Sequence, residues 1–182
     1  MKRYQQNYYL YNRFLESVGI CKPEQLKAYL TNIGIPENVQ HSLIKTSLVQ
    51  RNASFDGQYF YSNQSVSYTQ FSTSLEKSIW YFVNKCTQFD FFNFHPKLPA
   101  SAYFLDNKAN KIDDLTVFYI PKGTEGITTR IIETNYGGLQ SIINTALIVD
   151  DLQQREHIVL TEIFNVKDIV TVSQDGKIVS LE

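Results

Sequence analysis

In the first third of the chain, apolar residues recur every three or four positions, the spacing that places them on one face of a helix. This pattern predicts three successive helices, over residues 8–18, 23–30 and 36–45. Gly19 and Gly34 follow the first two segments, and glycine is common where a helix ends. The chain is therefore expected to open with a three-helix unit.

The hydrophobic period then changes from the helical value to two. Residues 48–52 and 58–61 are predicted to be strands joined by a turn at Asp56 and Gly57, because glycine accepts the positive φ that such a turn needs. Three helices followed by a hairpin is the order of a winged helix-turn-helix. In that arrangement residues 36–45 would form the recognition helix in the major groove of DNA, and the hairpin would be the wing near the phosphate backbone.

Double-stranded DNA is thus the expected partner, although the charge supporting it is modest. Residues 1–70 hold seven basic and four acidic side chains, a net charge of +3, while the whole chain carries −1. Dedicated duplex binders usually present a denser basic face. We expect weak, salt-sensitive binding unless a homodimer or a partner protein adds contacts. The predicted DNA-binding residues are Gln40, His41, Lys45, Arg51 and Asn52.

The remaining composition indicates no catalytic residue, metal or cofactor. The two cysteines are far apart, the three histidines are widely separated, and nucleotide-binding and nucleophile motifs are absent. A hydrophobic content of 43% is ample for a folded core. No apolar run approaches 18 residues, so no membrane association is expected and a cytoplasmic location is predicted.

A segment rich in serine, threonine, glutamine and asparagine indicates a domain boundary. We predict a winged helix-turn-helix over 1–65, a linker over 66–74 and a small α/β domain over 75–182, an α+β protein overall. In the second domain residues 124–132 fit either a helix or a strand. The other predicted elements are a helix from about residue 74, strands over 89–94, 102–105 and 115–120, a helix over 139–149, a strand over 157–162, a helix over 165–169, and strands over 169–172 and 177–181.

Three segments carry a family resemblance: LPASAYF at 98–104, VFYIPK at 117–122 and REHIVLTE at 155–162. With the order of elements, they resemble the replication-relaxation and mobilisation accessory proteins of Gram-positive plasmids and conjugative transposons. The resemblance implies that the second domain is similar to the restriction-endonuclease-like fold, with an eroded active site. It also implies that a replication or mobilisation protein is a partner.

Nuclease chemistry can be tested directly on the residues. Metal-assisted phosphodiester cleavage needs carboxylates around a divalent cation and a lysine beside the phosphate. In this chain a nuclease would need an aspartate directly after Pro99 and an acid two positions before Lys122. Residues 99–101 contain no aspartate, and Ile120 stands in the place of the acid. A non-enzymatic DNA-binding accessory or regulatory protein is therefore expected. The alternatives are a divergent metal-dependent nuclease using Asp113, Asp114 and Lys122, and a protein–protein adaptor that uses the winged helix.

Overall fold

The computed structural model describes residues 2–63, 72–87, 91–94, 100–106, 113–138 and 141–180. The fold is α+β with two separate sheets, which confirms the predicted class. The chain divides into two compact units. Unit 1 comprises Met1–Ser72 and Phe82–Thr87, and unit 2 comprises Thr73–Tyr81 and Gln88–Glu182. Most of the predicted linker, residues 66–71, lies outside the described residues.

Unit 1 is helical with a small antiparallel sheet in the order β1-β3-β2. Phe60 stands at the centre of this sheet, opposite Cys21 on one side and Phe55 on the other. The strand predicted over 48–52 is wrong, because its first two residues complete the last turn of a helix. The elements are α1 (Lys2–Val18), β1 (Ile20–Cys21), α2 (Pro23–Asn32), α3 (Glu37–Val49), β2 (Ala53–Phe55) and β3 (Phe60–Ser62).

The core of unit 1 draws large side chains from all three helices. Phe14, Leu26 and Leu43, one from each helix, have no solvent exposure. The rings of Phe14 and Tyr29 stack with their centroids 4.2 Å apart. Full burial of a large apolar side chain contributes roughly 1.5–3 kcal/mol. The apolar faces predicted from helical spacing are therefore the faces that hold this unit together.

Unit 2 is built on a six-stranded mixed sheet in the order β4-β5-β6-β7-β8-β9. The β6–β7 and β7–β8 pairs are parallel, and the other pairs are antiparallel. The division between the units falls within α4. The elements are α4 (Thr73–Lys85), β4 (Phe91–Phe94), β5 (Ala100–Asp106), β6 (Asp113–Ile120), α5 (Glu125–Tyr136), β7 (Ile143–Val149), a 3₁₀ helix (Leu152–His157), β8 (Phe164–Val172) and β9 (Ile178–Ser180).

Three predictions for unit 2 are wrong for physical reasons. The helix predicted over 139–149 is instead β7, a strand between two parallel neighbours, and a strand buried on both faces has a continuous apolar run rather than alternation. Residues 157–162 are not a strand, since the 3₁₀ helix capped by Asp151 runs into them. Residues 165–169 belong to β8 and not to a helix, because they pair with β7. Of the two options for 124–132, the helix is correct.

Candidate nucleic-acid interface

Helix α3 has a core face and an outer face. Leu43 and Ser47, four positions apart, are fully buried. His41 and Lys45 are also four positions apart, so they lie one turn from each other, and both are exposed. The outer face therefore presents an imidazole and an ammonium group in line along the helix.

Gln40, predicted to contact DNA, faces the core instead. It is 5% exposed. Its amide nitrogen donates to the carbonyl oxygen of Ile35 at 2.7 Å and to the hydroxyl of Thr31 at 3.2 Å. Buried polar groups need such partners, and these bonds tie the start of α3 to the end of α2. Polarity alone suggested an outward position, but the helical phase set by Leu43 and Ser47 turns this residue inward.

The C-terminus of α3 ends in a Schellman motif with an unusual residue. The backbone N–H of Arg51 donates to the carbonyl of Leu48 at 3.2 Å, and the N–H of Asn52 donates to that of Ser47 at 3.0 Å. This closure puts Arg51 at φ 58°, and among the described residues it alone has a positive φ without being glycine. The left-handed region costs a residue with a side chain about 1 kcal/mol or more. An exposed guanidinium therefore occupies a backbone position that favours glycine.

Asn52 is half-buried and its side chain is used inside the unit. Its amide nitrogen donates to the hydroxyl of Tyr8 at 2.8 Å, and that hydroxyl donates to the side chain of Gln50 at 2.7 Å. The carbonyl of Asn52 accepts from the backbone of Asn63 at 3.0 Å. The predicted DNA contact at Asn52 is thus a structural link between α1, the end of α3 and the hairpin. Tyr8 was missed as a polar partner because its contacts lie more than forty positions away in the chain.

The hairpin is ordered by one carboxylate. Asp56 accepts hydrogen bonds from the backbone N–H groups of Gln58 and Tyr59, both at 2.8 Å, and from the Tyr61 hydroxyl at 2.6 Å. These bonds, that of Tyr61 first, hold the pKa of Asp56 below its usual value. The hairpin sequence contains no lysine or arginine. Any contact that it makes with a phosphate would therefore be a hydrogen bond and not a charge pair.

The cations on and next to α3 differ in how far they are neutralised. Lys27 of α2 pairs with Glu37 in the first turn of α3 at 3.0 Å. The hydrogen bond and charge of Lys27, with a smaller contribution from His41, lower the pKa of Glu37. Lys45 and Arg51 have no acidic partner within 4.0 Å in the part of the chain that the structure describes. Their charges remain available to a ligand.

Unit 2 contains a polar cluster of a different kind. Asp150 accepts from Lys77 at 2.6 Å, from the Tyr119 hydroxyl at 2.9 and 3.0 Å, and from the backbone N–H of Lys122 at 3.0 Å. Burial opposes ionisation of Asp150, but the bonds from Lys77, the Lys122 backbone and Tyr119 together lower its pKa. The Lys122 ammonium pairs with Asp151 at 2.9 Å. Both lysines are thus engaged by carboxylates, which suits a role in fastening the ends of β6 and β7.

The residues of the alternative nuclease site belong to the two ends of one strand. Asp113 and Asp114 begin β6, and Lys122 follows its last residue. At about 3.3 Å per residue, the strand alone separates Asp114 from Ile120 by roughly 20 Å. Asp113 and Asp114 are thus at the opposite end of β6 from Lys122, and the nuclease alternative stays a prediction.

Comparison with protein-family models, with curated proteins and with solved structures finds no match to this chain. Over the described ranges, no three histidine, cysteine, aspartate or glutamate side chains lie together as metal ligands. Among those same residues, no helix combines the length and apolar character needed to cross a bilayer. The candidate interface is therefore defined by geometry alone, with His41, Lys45 and Arg51 as its exposed cationic or ionisable groups.

Proposed function

We propose that unit 1 is a winged helix-turn-helix that contacts duplex DNA through the outer face of α3. The order helix, strand, helix, helix, strand, strand supports this proposal. Further support comes from β1, which pairs with β3 beside the β2–β3 hairpin. In this arrangement α3 is the recognition helix and the hairpin is the wing. The proposed contact residues are His41, Lys45 and Arg51, without Gln40 and Asn52.

Arg51 is the observation that carries the proposal. A side chain held in the left-handed region costs stability, and such strain concentrates where a side chain acts on a ligand. Glycine at this position would close the same motif more easily. A guanidinium donates to phosphate in a forked geometry, so its position at the end of the proposed recognition helix fits a contact with the DNA backbone.

The biological role proposed is that of a non-enzymatic accessory or regulatory protein. It would act in the replication or mobilisation of a plasmid or transposon, as the resemblance of the sequence implies. Three ionisable groups supply little non-specific affinity, because each neutralised phosphate adds only a modest increment. A second copy or a replication or mobilisation protein would supply the remaining contacts.

Unit 2 is proposed to resemble a restriction-endonuclease-like domain without its chemistry. A mixed sheet with a helix between the parallel strands β6 and β7 is compatible with that fold. The position that would supply an acid is Ile120, and Lys122 is engaged by Asp151. We assign this unit a binding role.

Fluorescence anisotropy with the full chain and a labelled duplex tests the DNA proposal. We expect binding at low salt that weakens steeply as salt rises, and a slope of log affinity on log salt reduced by about one in Lys45→Gln. Lys177→Gln is the matched control, because Lys177 is an exposed lysine of unit 2 paired with Asp175. Absence of duplex binding at low salt, or equal losses in both variants, would refute the proposal.

A protein–protein adaptor is the second candidate, and one observation favours it. Val49 at the end of α3 is 74% exposed and Phe55 of β2 is 43% exposed. Exposed apolar side chains of this size are common in protein interfaces. The adaptor function would replace the proposed one on two results together. The wild-type chain would show no duplex binding, and Val49→Ser and Phe55→Ser would abolish its binding to a partner protein.

A further inference from the structure

A groove on unit 2 shares no lining residue with the polar cluster around Asp150. It encloses about 450 Å³ between β7, β8 and the segment that follows the 3₁₀ helix. Leu147 and Phe164 lie beneath it, 1% and 6% exposed, and Ile158 and Leu160 form a half-buried wall. Pockets for small molecules span roughly 300–1,000 Å³ and are lined mainly by apolar groups. The groove thus has the size of a ligand site, and Ile158 and Leu160 give it an apolar wall.

Two exposed cations stand at this groove. Arg155 and Lys167 both line it, and neither has an acidic partner within 4.0 Å in the described ranges. The lysines of the polar cluster in this unit, by contrast, are paired with aspartates. The one carboxylate in the lining, Asp168, accepts from the Tyr81 hydroxyl at 3.3 Å. The groove therefore offers positive charge beside an apolar wall.

A backbone irregularity in β8 accounts for the position of Lys167 at this groove. The β7–β8 register shifts so that Thr145 pairs with Val166 and Ala146 pairs with Asp168, which leaves Lys167 as an extra residue. Bulges are rare in parallel pairs, interrupt the ladder locally and re-aim a side chain, and they are frequent beside functional sites. This bulge places an additional lysine at the groove, where regular pairing would not need one.

We propose that this groove binds a small amphipathic carboxylate, with its apolar body against Ile158 and Leu160 and its charge between Arg155 and Lys167. The ligand must bring both parts, since the apolar wall alone would accept a neutral molecule and the cations alone would accept a bare anion. The site belongs to unit 2 and does not depend on the DNA contact proposed for unit 1.

Decanoate and decanol test the site as a matched pair, because they share an apolar chain and differ in charge. Titration of the full ¹⁵N-labelled chain, below the micelle concentration, should shift amide signals of residues 158–169 with decanoate and bind decanol at least tenfold more weakly. The Arg155→Gln/Lys167→Gln variant should raise the Kd for decanoate at least tenfold and leave that for decanol within twofold. Leu160→Ser should weaken both ligands.

Controls separate a bound charge from an altered fold. Lys177→Gln removes an exposed lysine of unit 2 outside the groove lining and should bind decanoate like the wild type. Arg155→Lys with Lys167→Arg keeps both charges and should restore binding. Equal affinity for the two ligands, shifts confined to other residues, or wild-type decanoate affinity in the double glutamine variant would overturn the site.

Discussion

Helices α2 and α3 end with the same hydrogen-bond pattern and with different residues at the critical position. At the end of α2, Gly34 donates to Thr31 at 2.9 Å, Ile35 donates to Leu30 at 2.9 Å, and the φ of Gly34 is 79°. At the end of α3, Arg51 takes the equivalent place with a φ of 58°. Backbone geometry favours glycine at both ends. The exception at α3 is the observation on which the proposed DNA contact of Arg51 rests.

Gly34 allows the cost of the left-handed conformation to be measured separately from steric crowding. A Cβ added there would meet no atom within 4 Å, so glycine is required at this end for its φ alone and not for space. Any cost of a larger residue at Gly34 therefore measures left-handed strain by itself. The same strain is already present at Arg51, where we propose that DNA contact compensates for it in function.

The largest expected effect is on duplex affinity, in the variant Lys45→Gln/Arg51→Gly. Loss of both unpaired cations at α3 should lower affinity at low salt by roughly tenfold or more, since each removes a phosphate partner. Fluorescence anisotropy measures it. Gly34→Ala is the control, because it changes the other helix end without changing charge. A duplex affinity within twofold of wild type in Lys45→Gln/Arg51→Gly would contradict the proposed role of these two cations in DNA binding.

Tyr8→Phe should have the next largest effect, on stability. The hydroxyl of Tyr8 accepts from Asn52 and donates to Gln50, so its removal leaves both side chains without that partner and should cost about 1–2 kcal/mol. Urea denaturation measures the free energy of unfolding. Tyr9→Phe is matched, because Tyr9 is 62% exposed on the same helix. Equal stability of the two variants would show that this link does not hold the α3 terminus.

Gly34→Ala should lower the free energy of unfolding by about 1 kcal/mol, the cost of placing a side chain in the left-handed region. Thermal or urea unfolding reports it, and duplex affinity should stay unchanged. Gly126→Ala is a useful reference, because Gly126 lies in α5 with open space around it. The higher helix propensity of alanine should make this variant more stable than the wild type. An unchanged free energy of unfolding in Gly34→Ala would show that a side chain in this left-handed conformation has no cost.

The smallest effect concerns Glu37, at the start of α3. Its pKa is lowered chiefly by the hydrogen bond from Lys27, so its folded pKa lies below the unfolded value. That contribution to stability is present above the unfolded pKa and is lost as pH falls through the folded pKa. Lys27→Gln should raise the pKa of Glu37 toward its usual value, as followed by NMR of the carboxyl carbon. An unchanged titration would show that the pair is not formed in solution.

How far the sequence could predict these features depends on the range of the interactions involved. Local spacing was enough to predict the helices of unit 1 and the Asp56–Gly57 turn, because those patterns depend on residues close together in the chain. The left-handed φ of Arg51 was not predictable, since it follows from Schellman closure and arginine has no preference for it. The identity of β7 as a strand depended on its two parallel neighbours. Gln40 follows the helical phase of Leu43 and Ser47 into the core, where bonds to Thr31 and Ile35 satisfy its amide.

The most direct test of the DNA contact is the single substitution Arg51→Gly, followed by two readouts on the same protein. Glycine should relieve the left-handed strain and raise the free energy of unfolding by about 0.5–1 kcal/mol. The same change removes a guanidinium and should lower duplex affinity several-fold. Higher stability with weaker DNA binding is the predicted result. Unchanged duplex affinity in a stabilised protein would contradict the proposal that Arg51 is kept for DNA.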